Sequence, residues 1–386
     1  MLYLCYSIND FFAREAGISM IGFFENNPDY EPDEVFFLDY GIHQINRKNL
    51  DGIAARYGKR ITYLNAKAVT DVVKREFPDY KGWRGSMAPN AKPFVDQIVP
   101  DYVERLLFID ADTVVAGSVS ELNTIDMSGK ALGVVPVNLG AEDIRKGHYA
   151  LESGNQIYFN SGVLLFNLPV WRSENCHQMI IDMLNQKINL EWPDQNLLNN
   201  AIPERIIKTL PLKFNQLTHY YHPRQERGWL RVGHHYSEEE IEEAINHPAI
   251  IHYLGGWCLA RPWYKHCRSR KSAEYMRYKA LSPWKDSPLF RPYEETYPPR
   301  GFFQKAGYWR EKQYTVCPSF HLARLIDAIY NAVIPRLEKI FQKKSVPPGR
   351  ESTDKQQIIT RNETNIDIQE RRTGVEPRRR VHGDGV

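Results

Sequence analysis

The first half of the chain alternates between short apolar runs and segments with helical spacing. The runs "LYLCY" (2–6), "VFFLDY" (35–40), "RITYL" (60–64) and "LLFID" (106–110) are apolar almost throughout, and helix-like segments separate them. Strands that are apolar on both faces need cover on both faces, which a parallel sheet between two layers of helices provides. The pattern therefore predicts an α/β fold with a Rossmann-like, mostly parallel sheet and helices on both faces.

Composition excludes several classes of protein. The chain has 386 residues, of which 42% are hydrophobic, so it is long enough to bury a full core. Its 50 basic and 47 acidic residues nearly balance, which argues against a nucleic-acid partner. The five cysteines form no CxxC pair, and no run approaches the roughly 18 apolar residues of a membrane span. With no basic region before its first apolar run, the chain is expected to lack a signal peptide and to be cytoplasmic.

The segment "RLLFIDADTVV" (105–115) places Asp110 and Asp112 at the end of a predicted buried strand. Ligands of open α/β sheets bind beyond the carboxyl ends of the strands. In an extended segment these two side chains point to the same side, where they would raise one another's pKa unless they share a cation. Oxygen ligands of this kind suit Mg²⁺ or Mn²⁺, although a solvated polar turn is the simpler alternative.

A second alternative is a phosphatase of the haloacid-dehalogenase type, in which a hydrophobic strand also ends in DxD. That fold needs a further acidic motif of DD or GDxxxD type downstream. This chain has no DD, and its late "GD" lies at 383–384 in the polar tail. The phosphatase interpretation is therefore disfavoured.

Five motifs follow one another in a fixed order along the chain: "YSIND" (6–10), "RLLFIDADTVV" (105–115), "YFNSGVLLFNLPVWR" (158–172), "PDQNLLN" (193–199) and "HYLGG" with "RPW" (252–263). In order and rough spacing they resemble glycosyltransferase family 8, a family of retaining nucleotide-sugar transferases. The resemblance covers about residues 1–285, and "SPWKD" (282–286) looks like the bacterial lipopolysaccharide-core branch. It implies a sheet of the GT-A, nucleotide-sugar-binding type.

The resemblance implies roles for particular residues. It places Mn²⁺ (or Mg²⁺) between Asp110, Asp112 and His252. It implies that the donor is bound by Tyr6, Ser7, Asp10, Lys92, Ala111, Gly255 and Arg261. It implies that the transferred sugar is contacted at the catalytic centre by Asn160, Asp194 and Gln195.

The implied reaction moves a hexose, glucose or galactose, from a UDP-sugar to a glycan or glycolipid acceptor, for example lipopolysaccharide or another cell-surface glycan, with retention of configuration. A non-catalytic sugar- or nucleotide-binding protein on the same fold is the alternative. Three positions depart from the family. Lys92 stands where the family has an arginine, Ile8 replaces an acidic residue near the uracil, and Arg261 follows the glycines three residues late. The aromatic stretch 218–235 is a candidate acceptor wall, with an ordinary polar loop equally compatible.

Beyond about residue 283 the character of the chain changes. We predict a catalytic domain over 1–285, a C-terminal extension over 286–344, and a disordered polar tail over 345–386. Within the extension, apolar residues recur at helical spacing: Leu322, Leu325, Ile326, Ile329, Val333, Leu337, Ile340 and Phe341. An amphipathic helix with basic residues between its apolar ones predicts peripheral contact with an anionic membrane, and packing onto the catalytic domain is the alternative.

Overall fold

The computed structural model describes residues 1–83, 85–137, 157–187, 190, 192–218, 235–254, 261–267, 269–292, 295, 298–316, 325, 329–330, 332–334, 336–337 and 340. By its internal contacts the chain divides into two units, Met1–Ile334 and Pro335–Val386. Every helix and strand named below belongs to the first unit. The predicted boundaries at 285 and 344 remain predictions.

The strands of the described residues are β1 (Leu2–Ile8), β2 (Glu34–Asp39), β3 (Arg60–Leu64), β4 (Arg105–Ile109), β5 (Thr113–Val115), β6 (Leu132–Pro136), β7 (Phe159–Asn167), β8 (Ile207–Thr209), β9 (Gln216–Leu217) and β10 (Ile250–His252). The α-helices are α1 (Ala13–Asn26), α2 (Gln44–Arg56), α3 (Ala66–Glu76), α4 (Glu121–Thr124), α5 (Leu168–Ser173), α6 (Cys176–Asn185), α7 (Pro193–Ala201), α8 (Glu238–Asn246), α9 (Ser272–Ala280) and α10 (Gly301–Val316). Short 3₁₀ helices cover Asp10–Phe12, Pro89–Gln97, Glu204–Ile206 and Leu212–Asn215.

Seven strands form the main sheet, in the order β3-β2-β1-β4-β7-β6-β8. The pairs β1/β2, β2/β3, β1/β4 and β6/β8 are parallel, and β7 runs antiparallel to both of its neighbours. The carboxyl ends of β1, β2 and β4 therefore lie at one edge, where the sequence predicts a ligand. Strand β7 reaches the same edge with its amino end, because it runs the other way.

Each face of the sheet carries its own hydrophobic core. Along β1, Leu4 and Ile8 belong to one cluster, whereas Cys5 belongs to the other. The first cluster includes residues of α1, α2 and α9, and the second includes residues of α3, α5, α6 and α7. Since side chains of a strand alternate between its two faces, apolar runs such as "LYLCY" are what a sheet covered on both sides requires. The predicted fold class is confirmed.

Strand β7 differs from its expected shape. The sequence suggests an apolar strand interrupted at Asn160-Ser161-Gly162, but β7 runs without a break from Phe159 to Asn167. The backbone N–H of Asp110 donates a hydrogen bond to the carbonyl of Gly162 at 2.8 Å, so the polar triplet continues the ladder beside the end of β4. The polar residues of the triplet are therefore part of β7, and they lie at the edge of the sheet beside Asp110.

A second sheet of three strands, in the order β5-β10-β9, lies next to that edge. Strand β5 directly follows the Asp110–Asp112 turn, and β10 pairs with it antiparallel so that His252 stands opposite Thr113. Strand β9 pairs with β10 in parallel and continues the 3₁₀ helix that ends at Asn215. The small sheet thus brings residues distant in sequence to the two aspartates.

Several local expectations can be compared with the structure. Ser237 and Glu240 form a capping box at the start of α8, with hydrogen bonds in both directions. Cys5, Cys176 and Cys267 are free thiols. None of the described helices is both long enough and apolar enough to cross a bilayer. Gly255, most of the aromatic stretch 218–235 and the tail 345–386 lie outside the described residues.

Candidate active site

The two aspartates are held by a turn that joins β4 to β5. Asp110 receives two hydrogen bonds from Thr113 on its carbonyl, one from the backbone N–H at 3.2 Å and one from the hydroxyl at 2.7 Å. The Thr113 hydroxyl lies 3.1 Å from that of Ser19, which in turn accepts from Tyr6 in the core. The carbonyl of Asp112 accepts from the N–H of Tyr253, next to the end of β10. The turn is thus fixed from both sheets.

His252 lies beside the two aspartates, where the resemblance to family 8 places it. Its Nε2 lies 3.2 Å from Asp112 Oδ1. Possible ligand atoms of Asp110, Asp112 and His252 all lie within 4.8 Å of one another. Ions with metal–oxygen bonds of about 2.1 Å place neighbouring ligands about 3 Å apart, so these three groups fit one divalent cation. Two carboxylates and an imidazole suit Mn²⁺ or Mg²⁺ better than they suit a soft metal ion that prefers thiolate ligands.

Asn215 fixes the orientation of the histidine ring. His252 Nδ1 lies 3.1 Å from Asn215 Oδ1, an acceptor, so Nδ1 carries the hydrogen and donates. The other ring nitrogen, Nε2, faces Asp112 and is the atom within reach of a metal ion at the aspartates. Metal-binding histidines are commonly oriented by such a hydrogen bond on the other nitrogen.

Gly162 allows the histidine to reach this position. A Cβ atom at residue 162 would lie 2.2 Å from His252 Cε1 and 2.5 Å from its Nδ1, far inside van der Waals contact. The imidazole therefore packs directly against the strand backbone. Glycine is required at this point because of the close approach.

We call Lys92, Asp110, Ser161 and Asp194 the inner cluster. The side chain of Lys92 is 1% exposed, and its Nζ lies 2.8 Å from Asp110 Oδ1 and 2.9 Å from Asp194 Oδ2. Ser161 donates a further hydrogen bond to Asp194 Oδ2 at 2.8 Å. Burial lowers the pKa of Lys92, but attraction from the two carboxylates outweighs it and holds the pKa above its ordinary value. This ammonium group is therefore charged, and it bridges Asp110 to α7.

We call Asp112, His252 and Arg261 the outer cluster. One guanidinium nitrogen of Arg261 lies 2.8 Å from Asp112 Oδ2, so each oxygen of this carboxylate has a nitrogen partner. Burial raises the pKa of Asp112, but attraction from His252 and Arg261 outweighs burial and holds the pKa well below its usual range. For Asp110 burial dominates and raises the pKa despite the attraction of Lys92. Two carboxylates two residues apart thus occupy different electrostatic environments.

A chain of amide hydrogen bonds links the two clusters behind the site. Asn215 Nδ2 donates to Asn160 Oδ1, and Asn160 Nδ2 donates to Gln195 Oε1 at 2.9 Å. Gln195 Nε2 then donates to the hydroxyl of Tyr158, which donates to Asn196. The backbone N–H groups of Gly162 and Ser161 also donate to Asn160 Oδ1 and Gln195 Oε1, which identifies these two atoms as the oxygens. We call these residues the amide chain: Asn160, Gln195, Asn215, Tyr158 and Asn196.

The residues predicted to bind the donor differ in their distance from the two aspartates and in their burial. Ser7 donates to the carbonyl of Ala88 at 2.7 Å, and Ala111 lies in the turn between the aspartates. Asp10 accepts from the backbone N–H of His43 and from Asn46, at the start of α2. The side chain of Tyr6 is fully buried in the core, so a contact with the base is left to its backbone. Lys92 and Arg261 lie at the aspartates, as described above.

Sequence reasoning missed Ser161 and Asn215 as parts of the site. Ser161 lies within the predicted "NSG" triplet, so its neighbours give a local signal. Asn215 has no such signal, because it lies in a short 3₁₀ helix that no motif covers. The predicted roles of the site residues remain proposals.

The arrangement defines a class of protein. A solved structure, that of the galactosyltransferase LgtC in complex with donor and acceptor sugar analogues, is similar to this fold with a TM-score of 0.59 and 21% identity, over 74% of this chain and 99% of that chain. The chain thus has the GT-A glycosyltransferase fold, as predicted.

The sequence comparisons identify the family. Residues 3–267 match the model of Glycosyl transferase family 8, and the chain belongs to this family. Two curated relatives are "General stress protein A" of Bacillus subtilis, 22% identical over 74% of this chain and 95% of that protein, and "Lipopolysaccharide glucosyltransferase WaaO" of Escherichia coli, 25% identical over 75% of this chain and 81% of that protein. The predicted family is confirmed, the protein is a glycosyltransferase, and the phosphatase and non-catalytic alternatives find no support.

Proposed function

We propose that this protein transfers a hexose, glucose or galactose, from a UDP-sugar to a glycan or glycolipid acceptor, with retention of configuration. The observation that carries the proposal is the meeting of Asp110, Asp112 and His252 beside two protein cations, at the carboxyl edge of a family 8 fold. The names of the relatives support lipopolysaccharide or a similar cell-surface glycan as the acceptor.

Asp110, Asp112 and His252 would hold Mn²⁺ or Mg²⁺. When bound, the ion supplies positive charge that stabilises the leaving diphosphate. Arg261 lies next to Asp112 and is the chain's own cation for the diphosphate, where it would stabilise negative charge as the sugar–phosphate bond breaks. Lys92 is buried, so its charge acts through the enclosed site instead of through solvent.

Retention is consistent with attack on the face from which the diphosphate leaves. Gln195 Oε1 already accepts two hydrogen bonds, from Asn160 Nδ2 and the N–H of Ser161, and the Asp194 carboxylate is held by Lys92 and Ser161. Groups held in this way are poor nucleophiles, which disfavours a covalent glycosyl-enzyme. The acceptor hydroxyl would attack the anomeric carbon while its proton passes to the departing phosphate oxygen.

The experiment is a panel of nucleotide sugars with added Mn²⁺, with released nucleotide as the readout. We expect release from a UDP-hexose that stops when the metal is chelated. Asp110→Asn and Asp112→Asn each remove one carboxylate ligand and should reduce turnover more than about 100-fold while the protein stays folded. Asp126→Asn is the matched control, since Asp126 is exposed on a remote turn. Full activity of either site variant in metal-limited buffer would contradict the metal assignment.

We further propose that the protein works in the cytoplasm, at the inner face of the membrane, through its C-terminal extension. Leu325, Ile329 and Val333, three residues of the predicted apolar stripe, have exposed side chains. On α10, Phe302 and Trp309 are also exposed, and a spacing of seven residues places them on one helix face. Exposed aromatic and aliphatic residues beside basic ones favour the interface of an anionic bilayer.

Co-sedimentation with vesicles tests this proposal on the full chain. The variant Leu325→Glu/Ile329→Glu should lose binding to anionic vesicles, and binding of the unchanged protein should weaken as salt rises, because salt screens charge over about 8 Å at physiological ionic strength. The control Ile45→Glu/Val72→Glu changes two exposed apolar residues of α2 and α3. Equal binding by both variants would rule the extension out as the anchor.

A further inference from the structure

Each metal-site aspartate already has a protein cation as its partner, but the two cations are held differently. Lys92 is 1% exposed and contacts two carboxylates, so its ammonium group is fixed between them. The side chain of Arg261 is 19% exposed, and it forms an ion pair with Asp112 at 2.8 Å. Its Nε makes a further, longer hydrogen bond of 3.3 Å to the carbonyl of Tyr253. Arg261 is therefore the cation that can move.

The contact between Arg261 and Asp112 conflicts with metal binding. Asp112 Oδ2 is taken by the guanidinium, and Oδ1 faces His252 Nε2. A divalent ion arriving alone meets a carboxylate whose charge is already neutralised and a guanidinium that repels it. A diphosphate changes this balance, because a guanidinium pairs well with phosphate oxygens and would leave Asp112 to the ion.

We propose that Arg261 is an exchangeable counter-ion that makes metal binding depend on the nucleotide. In the donor-free protein it occupies Asp112, and in the donor complex it moves to the diphosphate. The inference rests on the proposed function, since it takes a nucleoside diphosphate as the ligand. Coupling of this kind is reciprocal, so the metal must raise nucleotide affinity by the same factor by which the nucleotide raises metal affinity.

Lys92 cannot play this part. Removing its ammonium group from Asp110 would leave a charge buried against Asp194 and would break contacts with α7. Arg261, in contrast, has the face of Trp263 close by, with its guanidinium carbon 5.7 Å from the ring centroid. A planar cation can slide along an aromatic face with little loss of contact. The exchange is therefore confined to the outer cluster.

The experiment measures binding, not turnover. Mn²⁺ is titrated into the nucleotide-free protein and into protein saturated with UDP, and free Mn²⁺ is read by electron paramagnetic resonance. We expect weak binding to the unchanged protein without UDP and much tighter binding with it. Arg261→Gln should bind Mn²⁺ about five-fold or more tightly without UDP, and UDP should then increase that affinity less than in the unchanged protein.

Two further variants complete the design. Arg261→Lys keeps the charge and should keep the dependence on UDP. Arg205→Gln removes another arginine–carboxylate pair, with Glu174 at 2.7 Å on the surface, and should match the unchanged protein. Equal Mn²⁺ affinity of Arg261→Gln and the unchanged protein without UDP, with UDP binding intact in both, would overturn the counter-ion role alone. If the unchanged protein bound no UDP, with or without Mn²⁺, the proposed donor would be overturned as well.

Discussion

The inner and outer clusters share the same loop and the same kind of charge pair, yet they differ in almost every physical respect. Lys92 belongs to the 3₁₀ helix Pro89–Gln97, and its buried side chain contacts two carboxylates, that of Asp110 and that of Asp194 on α7. Arg261 is more exposed, and it forms an ion pair with Asp112. The pKa of Asp110 is raised, mainly by burial, whereas the pKa of Asp112 is lowered by His252 and Arg261. The two aspartates of one DxD pair can therefore have different physical roles. Asp110 is fixed to the core through Lys92, whereas Asp112 is paired with a more exposed cation that can exchange.

The largest effect should come from Lys92→Met. The variant keeps the volume but leaves Asp194, which is 9% exposed in its side chain, without its cation. Removing one partner of a buried ion pair costs roughly 3–5 kcal/mol of folding free energy, and we expect a loss of this size in chemical denaturation. Arg261→Gln removes the corresponding cation of the outer cluster, but His252 still faces Asp112, so we expect a smaller loss than for Lys92→Met. Equal losses in the two variants would erase the distinction between the clusters.

Lys92→Arg keeps the charge and so serves as the conservative partner of that experiment. The larger guanidinium enters a filled space, since Ser161 Oγ lies 3.5 Å from Nζ. Overpacking of this kind costs about 1–3 kcal/mol, well below the cost expected for Lys92→Met. The sequence resemblance alone suggests that arginine, the family's residue, would fit without cost, and the hydroxyl of Ser161 is the reason to expect otherwise.

Gly162→Ala should have the next largest effect, and on the outer cluster. Its Cβ would meet the His252 ring, which must swing away from Asp112. We expect Mn²⁺ affinity in the presence of UDP to fall by more than about 10-fold, within the range for disturbed metal ligands. Gly117→Ala is the control, because a Cβ there would lie no closer than 3.3 Å to its neighbours, of which Ala249 Cα and the Pro248 carbonyl oxygen are the nearest. Unchanged metal affinity would show that His252 is not a ligand.

Asn215→Leu should have a smaller effect on the same histidine. The variant removes the acceptor for His252 Nδ1 while keeping a side chain of similar size. Loss of such an orienting hydrogen bond lowers metal affinity by about 10-fold or more, and we expect the low end of that range, since β10 still places the ring. Calorimetry of Mn²⁺ binding in the presence of UDP measures the change. A larger loss than that of Gly162→Ala would mean that the amide chain, and not the strand, positions the ring.

The smallest effect should come from Ser161→Ala. It removes one hydrogen bond of 2.8 Å to Asp194 but leaves the Lys92 contact in place. A single hydrogen bond to a carboxylate contributes about 1.5–3 kcal/mol at most, and the remaining cation should hold the loss near the lower value. Thermal unfolding beside Ser118→Ala, an exposed serine, provides the comparison. A loss as large as that of Lys92→Met would make the hydroxyl, not the ammonium, the main support of Asp194.

The sequence predicts the parts of this molecule that rest on strong local patterns. Apolar runs indicate the strands of the sheet, and the spacing of Asp110 and Asp112 indicates a site at its edge. The resemblance brings in His252, which no local pattern marks. The cation pairing could not be predicted, because Lys92 and Asp194 are neighbours only through packing on one face of the sheet. The role of Asn215 could not be predicted for the same reason, because hydrogen bonds between segments distant in sequence produce no periodic pattern.

The order in which the two clusters close along the chain has a consequence for synthesis. The contact between Lys92 and Asp194 joins residues 102 positions apart, whereas that between Asp112 and Arg261 joins residues 149 apart. Since domains fold as the chain emerges from the ribosome, the inner cluster can form while the outer one still lacks β10 and its arginine. A nascent chain that ends before His252 thus has the main sheet but lacks one of the three proposed metal ligands. The growing protein would gain its capacity to consume sugar nucleotides only after most of its sheet is in place.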